Sequence, residues 1–385
     1  MKANLPEKRV DRPQPAPVVE SSRADDLSRE VFGVLGLPLD VIDVEGLLGK
    51  IDAAVSNRTP FLLSTPNVNF LMMSQSDEGF RESMLMSDLC PVDGMPLVWV
   101  SRLLGIPLRQ RLSGSDIFDT LRSRAIAPKL KVFLFGGGEG IADTVASKLN
   151  QAEGGMTCVG SLNPGFGSVD EMSLAPTVEA INSSQADLLT VFLSARKAQY
   201  WLLKNHDRLN VPVRVQLGAT INVQAGKVRR APPFMRKLGF EWLWRIKEEP
   251  YLWRRYVKDG VGLFALFFTR IVPMAVEERL QRLSSKQLEV SSSEGLKTVS
   301  LKLSGPAING HIHEAIIGFR TALQARKAIL IDLSGASAVD TRFFGLFVVL
   351  RKEAALRGCA LRFVDPPPRI RRKFRRNGFE FLLKP

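Results

Sequence analysis

Apolar and polar positions along the chain fall into two regimes, divided by a polar stretch at residues 277–295 that contains Ser284-Ser285 and Ser291-Ser292-Ser293. Upstream, short continuous apolar runs alternate with stretches of helical period. Phe61-Leu62-Leu63 leads into the turn Thr65-Pro66-Asn67, and Lys131 to Phe135 leads into Gly136-Gly137-Gly138. Asp187 to Leu193 and Val213 to Leu217 are further runs, the last ending at Gly218. Unbroken apolar strands spaced by helices predict a parallel sheet covered on both faces. Ligands of such sheets sit in the loops at the carboxyl ends of the strands. Downstream, Thr298 to Leu303 alternates as a strand, and His313 to Lys327 places Ile316, Ile317, Phe319 and Leu323 on one side of a helix. Ile329 to Leu333, Phe343 to Arg357 and Leu361 to Val364 predict a strand, a helix and a strand, with a basic helix after them. The fold class is therefore α/β: a Rossmann-like parallel-sheet domain over residues 31–226 and a small α/β unit over residues 296–385. Residues 1–30 read as a polar leader, 227–276 as a basic, aromatic appendage and 277–295 as a linker.

Charge narrows the partners. The chain carries 53 Lys and Arg against 39 Asp and Glu, a formal net charge of +14. An anionic partner is expected, and nucleic acid, anionic lipid and phosphorylated small molecules all qualify. Cys90, Cys158 and Cys359 have no paired spacing, which argues against a disulfide framework or a structural zinc site. The chain reads as intracellular. The first 30 residues lack the apolar core of a signal peptide. The longest uninterrupted apolar run, Val261 to Phe268, is well short of the ~20 residues that span a bilayer. Lys227 to Lys258 holds ten Lys and Arg against three acidic residues, with Trp242, Trp244, Trp253, Tyr251 and Tyr256 interleaved. That mixture suits the headgroup level of a membrane, single-stranded nucleic acid, or a plain basic surface. The adjoining apolar run favours the membrane.

Single motifs are ambiguous. The loop Gly136-Gly137-Gly138-Glu139-Gly140 ends a strand and opens a helix, which suits a phosphate or merely a tight turn. The strand from Met156 to Val159 ends in Gly160-Ser161 rather than an acidic residue, so a nicotinamide cofactor is not expected. Asp93, within Pro91-Val92-Asp93-Gly94, is a turn residue or a base. Asp116 looks like a helix cap, and Thr65, Asn67 and Arg111 are equally open. His311 and His313 lack a nearby third ligand. Neither a metal nor a cofactor is expected.

Taken in order, Ser64-Thr65-Pro66-Asn67, Pro91 to Pro96, Arg111 to Asp116, Leu134 to Gly137, Asn163-Pro164-Gly165-Phe166, Ala225-Gly226 and Arg229 to Pro232 resemble the WecG/TagA/CpsF glycosyltransferases, and Glu241 to Arg245 and Glu249-Pro250 extend the series. The resemblance implies inverting transfer, without metal, from a UDP-sugar of N-acetylmannosamine, glucose or uronate type to a polyprenyl-diphosphate-linked acceptor. It implies that Asp93 is the catalytic base and that Thr65, Asn67, Arg111, Gly136 and Gly137 bind substrate. It further implies that Arg229, Arg230, Arg245, Arg254 and Arg255 serve the lipid diphosphate and the membrane. Two positions depart from the family. Arg196-Lys197-Ala198-Gln199 stands where Pro-Lys-Gln-Glu is usual, with Gln199 as a substitute contact. Asn222 replaces a carboxylate. The expected location is cytoplasmic, peripheral on the inner face of the cytoplasmic membrane.

Residues 296–385 resemble STAS domains through Ile329-Leu330-Ile331-Asp332-Leu333-Ser334, Val339-Asp340-Thr341 and Gly358. Antagonists of that family carry a phosphorylated serine where Arg342 stands here, so a docking role toward an unknown protein partner is expected instead. A non-catalytic scaffold that binds UDP-sugar and signals through the STAS unit is the alternative reading. A nucleic-acid-binding protein is a further one, but the chain shows no nucleic-acid motif and none is expected as a partner.

Overall fold

A computed structural model describes residues 25–281 and 286–384. A hairpin of β1 (Val31–Val34) and β2 (Leu37–Asp40) precedes the main sheet. The sheet holds β3 (Phe61–Leu63), β4 (Leu130–Gly136), β5 (Met156–Leu162), β6 (Leu188–Phe192) and β7 (Val213–Gln216). All pairings are parallel, in the order β3-β7-β6-β4-β5. From β4 the chain first adds β5 on one side, then crosses back to place β6 on the other. That reversal opens a crevice beyond the carboxyl ends of β4 and β6. β6 is buried along its whole length, as its unbroken apolar run requires.

Segment 87–91 lies alongside β3. The Asp88 carboxylate accepts from the Leu62 N–H at 2.6 Å, and the Ser64 N–H donates to Leu89 at 3.0 Å. Asp40, at the end of β2, accepts from the Cys90 N–H and is held by both arms of buried Arg29 at 2.6 Å. The hairpin thus braces the loop that leads to Asp93.

The second unit contains β8 (Glu289–Glu294), β9 (Thr298–Ala307), β10 (Ala328–Asp332), β11 (Ala336–Val339) and β12 (Leu361–Val364). Its order is β11-β9-β10-β12, with β8 antiparallel on β9. Helices Ile312–Gln324, Thr341–Leu356 and Pro368–Arg376 cover it.

Three expectations change. Of the leader, residues 1–24 lie outside the described residues, but Leu27 is fully buried in the core of the second unit. Of the expected linker, residues 277–281 complete a helix and Glu289–Glu294 form β8, while 282–285 lie outside the described residues. A polar composition suggested a loop, but β8 is an edge strand with one paired side and a solvated face, which polar residues suit. Third, Pro250–Gln281 is one continuous helical run of 32 residues, long and apolar enough by length and composition to cross a membrane. Lys258, Asp259 and Arg270 interrupt the apolar sequence, so no long run was visible.

Candidate active site

Three loops are stitched together at the crevice. The Asp93 N–H donates to the Pro66 carbonyl at 2.9 Å, and the Leu112 N–H donates to the Val92 carbonyl at 2.9 Å. Asn67 caps helix Val68–Ser76, its carboxamide oxygen accepting from the Phe70 N–H at 3.2 Å. Gly94 turns the chain with φ +95°, a conformation that strains any side chain, and leads directly into helix Met95–Leu103. The result is a cavity of about 1430 Å³ lined by Thr65, Asn67, Asp93, Arg111, Gly137 and Asn222, among others.

The appendage closes the cavity from the other side. Its Arg229, Arg230, Glu241, Arg245 and Arg255 all line it. Arg111 is the meeting point. It donates to Glu241 from the appendage and to Asp116 from the core, the latter at 3.2 Å. Arg230 in turn donates to Asp116 and Asp119, and Arg236 reaches Asp116 at 3.4 Å. The Nε of Arg230 is buried without a partner, a donor that an anionic ligand would satisfy.

Two neighbouring carboxylates are thereby driven apart. Burial pushes the Asp93 carboxyl up to about 7; Arg111 opposes this, while Glu241 and Asp116 add repulsion. Burial also raises Asp116, but the Ser113 hydroxyl, Arg111 and Arg230 outweigh it and hold Asp116 below its ordinary value. Asp116 forms a reciprocal capping box with Ser113 at the start of helix Gly114–Ser123. It is an ionised brace, whereas Asp93 can take up a proton near neutral pH.

The expected residues do not all reach the cavity. Gly136 ends β4, where a Cβ would stand 3.1 Å from the backbone of Phe192; it allows β4 and β6 to close rather than touching a ligand. Gln199 is fully buried, exchanging hydrogen bonds with Ser64 at 3.0 and 3.3 Å. It supports the residue beside Thr65 and does not line the cavity. Both Ala198 and Gln199 face inward because helix Ala195–Lys204 packs that side on the sheet. Its first turn supplies Arg196 and Lys197 to the cavity instead. Arg254 lies outside, against the Trp253 ring at 5.6 Å. Sequence reasoning gave Glu241 no role, although Glu241-Trp242 stood in the ordered series; its pairing with Arg111, 130 residues away, leaves no local signal.

Comparison with known proteins decides the family. The profile of the glycosyl transferase WecG/TagA/CpsF family matches residues 32–275. The chain belongs to this family. A STAS-domain profile matches residues 274–385. Similar WecG/TagA/CpsF proteins include two N-acetylglucosaminyldiphosphoundecaprenol N-acetyl-beta-D-mannosaminyltransferases. The one from Bacillus spizizenii is 28% identical over 225 residues, covering 56% of this chain and 84% of the relative. The one from Bacillus subtilis is 26% identical over 194 residues, covering 50% and 74%. A solved anti-sigma factor antagonist, SpoIIAA in its unphosphorylated form, aligns at 17% identity over 25% of this chain and 85% of its own, with a TM-score of 0.22. This WecG/TagA/CpsF glycosyltransferase therefore carries a STAS domain behind its transferase domain.

Proposed function

We propose that the chain transfers a sugar, with inversion and without a metal, from a UDP donor to a polyprenyl-diphosphate-linked acceptor in bacterial surface polysaccharide assembly. The observation that carries this is Asp93, a carboxyl raised to about 7 in a cavity ringed by arginines. In one displacement the acceptor hydroxyl oxygen bonds to the anomeric carbon, its proton passes to Asp93, and the bond from that carbon to the UDP oxygen breaks. A base with a pKa near the working pH suits that proton transfer. Arg111, Arg229, Arg230 and Arg245 supply positive charge for the departing diphosphate. Thr65, Asn67 and Asn222 offer polar contacts for the donor. The relatives named above use an N-acetylmannosaminyl donor, and we carry that sugar type over as the first to try, with glucose- and uronate-type donors after it. The basic appendage and the exposed apolar side of Pro250–Gln281 support a place on the inner face of the cytoplasmic membrane.

The test is turnover of a panel of UDP-sugars with a lipid-diphosphate acceptor. Asp93→Asn is expected to lower kcat by about 10²–10⁴-fold while UDP binding persists. Near-native rates in that variant would remove Asp93 from the role. Asn222, an amide where the family places a carboxylate, favours the second reading of a non-catalytic UDP-sugar sensor. That reading expects binding with no turnover for any donor. Ala198, the other departure from the family pattern, favours neither reading, because residue 198 packs in the core and a polar side chain lost there removes no cavity contact.

A further inference from the structure

We infer that the STAS unit uses the face at the start of helix Thr341–Leu356 as an internal strut, and that the partner of this face is the chain's own transferase domain. Arg342, which by the STAS resemblance stands where the antagonists carry a phosphoserine, is almost fully buried here. Its guanidinium donates to the Val31 carbonyl at 2.9 Å and stands 5.7 Å over the Phe32 ring. Thr341, the neighbouring hydroxyl, is also buried, and its backbone N–H donates to Glu278 at 2.8 Å. A kinase has no access to it in this arrangement.

The contact is close enough to be a shared core. Leu27, Val31 and Leu85 pack in one apolar cluster with Phe343, Phe344 and Phe347. A Cβ on Gly345 would stand 2.1 Å from the Val31 carbonyl, and one on Gly33 would stand 2.6 Å from the Phe344 Cβ. Two backbones can approach this closely only because both positions are glycine. Around this seam, Lys352 pairs with buried Asp88 at 2.5 Å, Arg351 with Glu82 at 2.9 Å, and Arg376 with Glu277. Glu277 and Glu278 lie at the far end of the helical run whose other end, through Leu252, Arg255, Tyr256 and Asp259, lines the catalytic cavity. The strut therefore fixes both the hairpin behind the Asp93 loop and the helix that walls the cavity.

Gly345 offers a test in which the sign of the effect decides. On a free helical face, Gly345→Ala raises stability, because alanine favours the helix interior over glycine. On an occupied face it forces the two units apart. Thermal unfolding of the full chain is expected to show a melting temperature several degrees lower for Gly345→Ala. An unchanged or raised value would overturn the inference. The second arm is a charge swap across the seam. Glu82→Arg and Arg351→Glu, which exchange the charges of a pair joining the transferase domain to the STAS helix, are each expected to lower the melting temperature, and the double variant to recover most of the loss. Absence of recovery would equally overturn the inference, and this arm decides the matter where Gly345→Ala gives no soluble protein. The readout makes no use of sugar transfer, so its failure is separable from failure of the proposed reaction.

Discussion

Asp93 shows how a residue of common type acquires a specific chemistry from what surrounds it. Its carboxyl is held up to about 7 by burial, with Glu241 and Asp116 adding negative charge and Arg111 resisting. A base acts when deprotonated, so kcat is expected to rise with pH through about 7 and then level. Glu241→Gln removes one repelling charge, and the acid limb is expected to move to lower pH; Arg111→Gln removes the attracting charge and moves it to higher pH. Rate–pH profiles of the two variants check both directions, and a shift of the same sign in both would contradict the electrostatic account. The same shift bears on stability. A carboxyl whose native pKa lies above its unfolded value favours the folded state at low pH and loses that benefit as pH rises through the native value. Asp93→Asn is therefore expected to melt higher than the native protein at pH 8, with the gap closing toward about pH 4, the ordinary range of an aspartate. Melting curves at the two pH values measure it. At this scale the sequence placed Asp93, Thr65, Asn67 and Arg111 in short ordered motifs, and the structure brings all four to the lining of one cavity. The sequence was silent about Glu241, since a charge pair across 130 residues depends on the packing of the appendage rather than on neighbouring residues.

At the scale of elements, the strands of the main sheet were legible because buried parallel strands are written as unbroken apolar runs. The β1–β2 hairpin was missed, since it is covered on both sides, by the transferase core through Phe32, Val34, Leu37 and Leu39 and by the second unit through Val31, and so carries no alternation; all eight strand residues are buried. The run Pro250–Gln281 was underestimated for a different reason. One side packs on the transferase domain through Ile271, Met274 and Ala275, while buried Asp259 accepts from Asn69 at 3.0 Å. The other side leaves Val261, Phe264, Phe268 and Leu280 at 66, 67, 59 and 64% exposure. A π-type turn over Phe267–Ile271 adds a residue ahead of Pro273, whose missing N–H interrupts the normal ladder there. An exposed apolar stripe beside a basic, Trp-rich segment is the composition of a helix that lies in a membrane interface. Phe264→Ser with Phe268→Ser is expected to abolish most co-sedimentation with vesicles containing anionic lipid, at unchanged melting temperature. Added salt is expected to weaken binding further, through Arg254 and Arg255. Sedimentation of the double variant equal to that of the native chain would remove this apolar stripe from any membrane role.

At the scale of the whole molecule, the boundary between the two units does not coincide with a gap in the core. Sequence pattern separated them as folding motifs, but no pattern reports that two surfaces are complementary. Lys352 and Asp88 make the point, since each lies in an ordinary amphipathic or turn context and they are 264 residues apart. Together they form a buried pair, both side chains only 4% exposed. The second oxygen of Asp88 accepts from the Leu62 N–H at 2.6 Å, at the centre of the strand that runs out to Thr65. A cation on the STAS helix thus neutralises a carboxylate that anchors a strand of the active site. Lys352→Ala removes the STAS side of this buried ion pair, and breaking such a pair costs about 3–5 kcal/mol in comparable cases. Lys352→Met with Asp88→Asn keeps the volume, removes both charges and retains an acceptor for Leu62, so most of the loss is expected to be recovered. Chemical denaturation of the native chain and of these two variants provides the comparison. Because the pair joins the two units, the loss should appear as a shift of one cooperative transition. Two separated transitions in the native chain would mean that transferase and STAS units fold independently and that the pair contributes little to either.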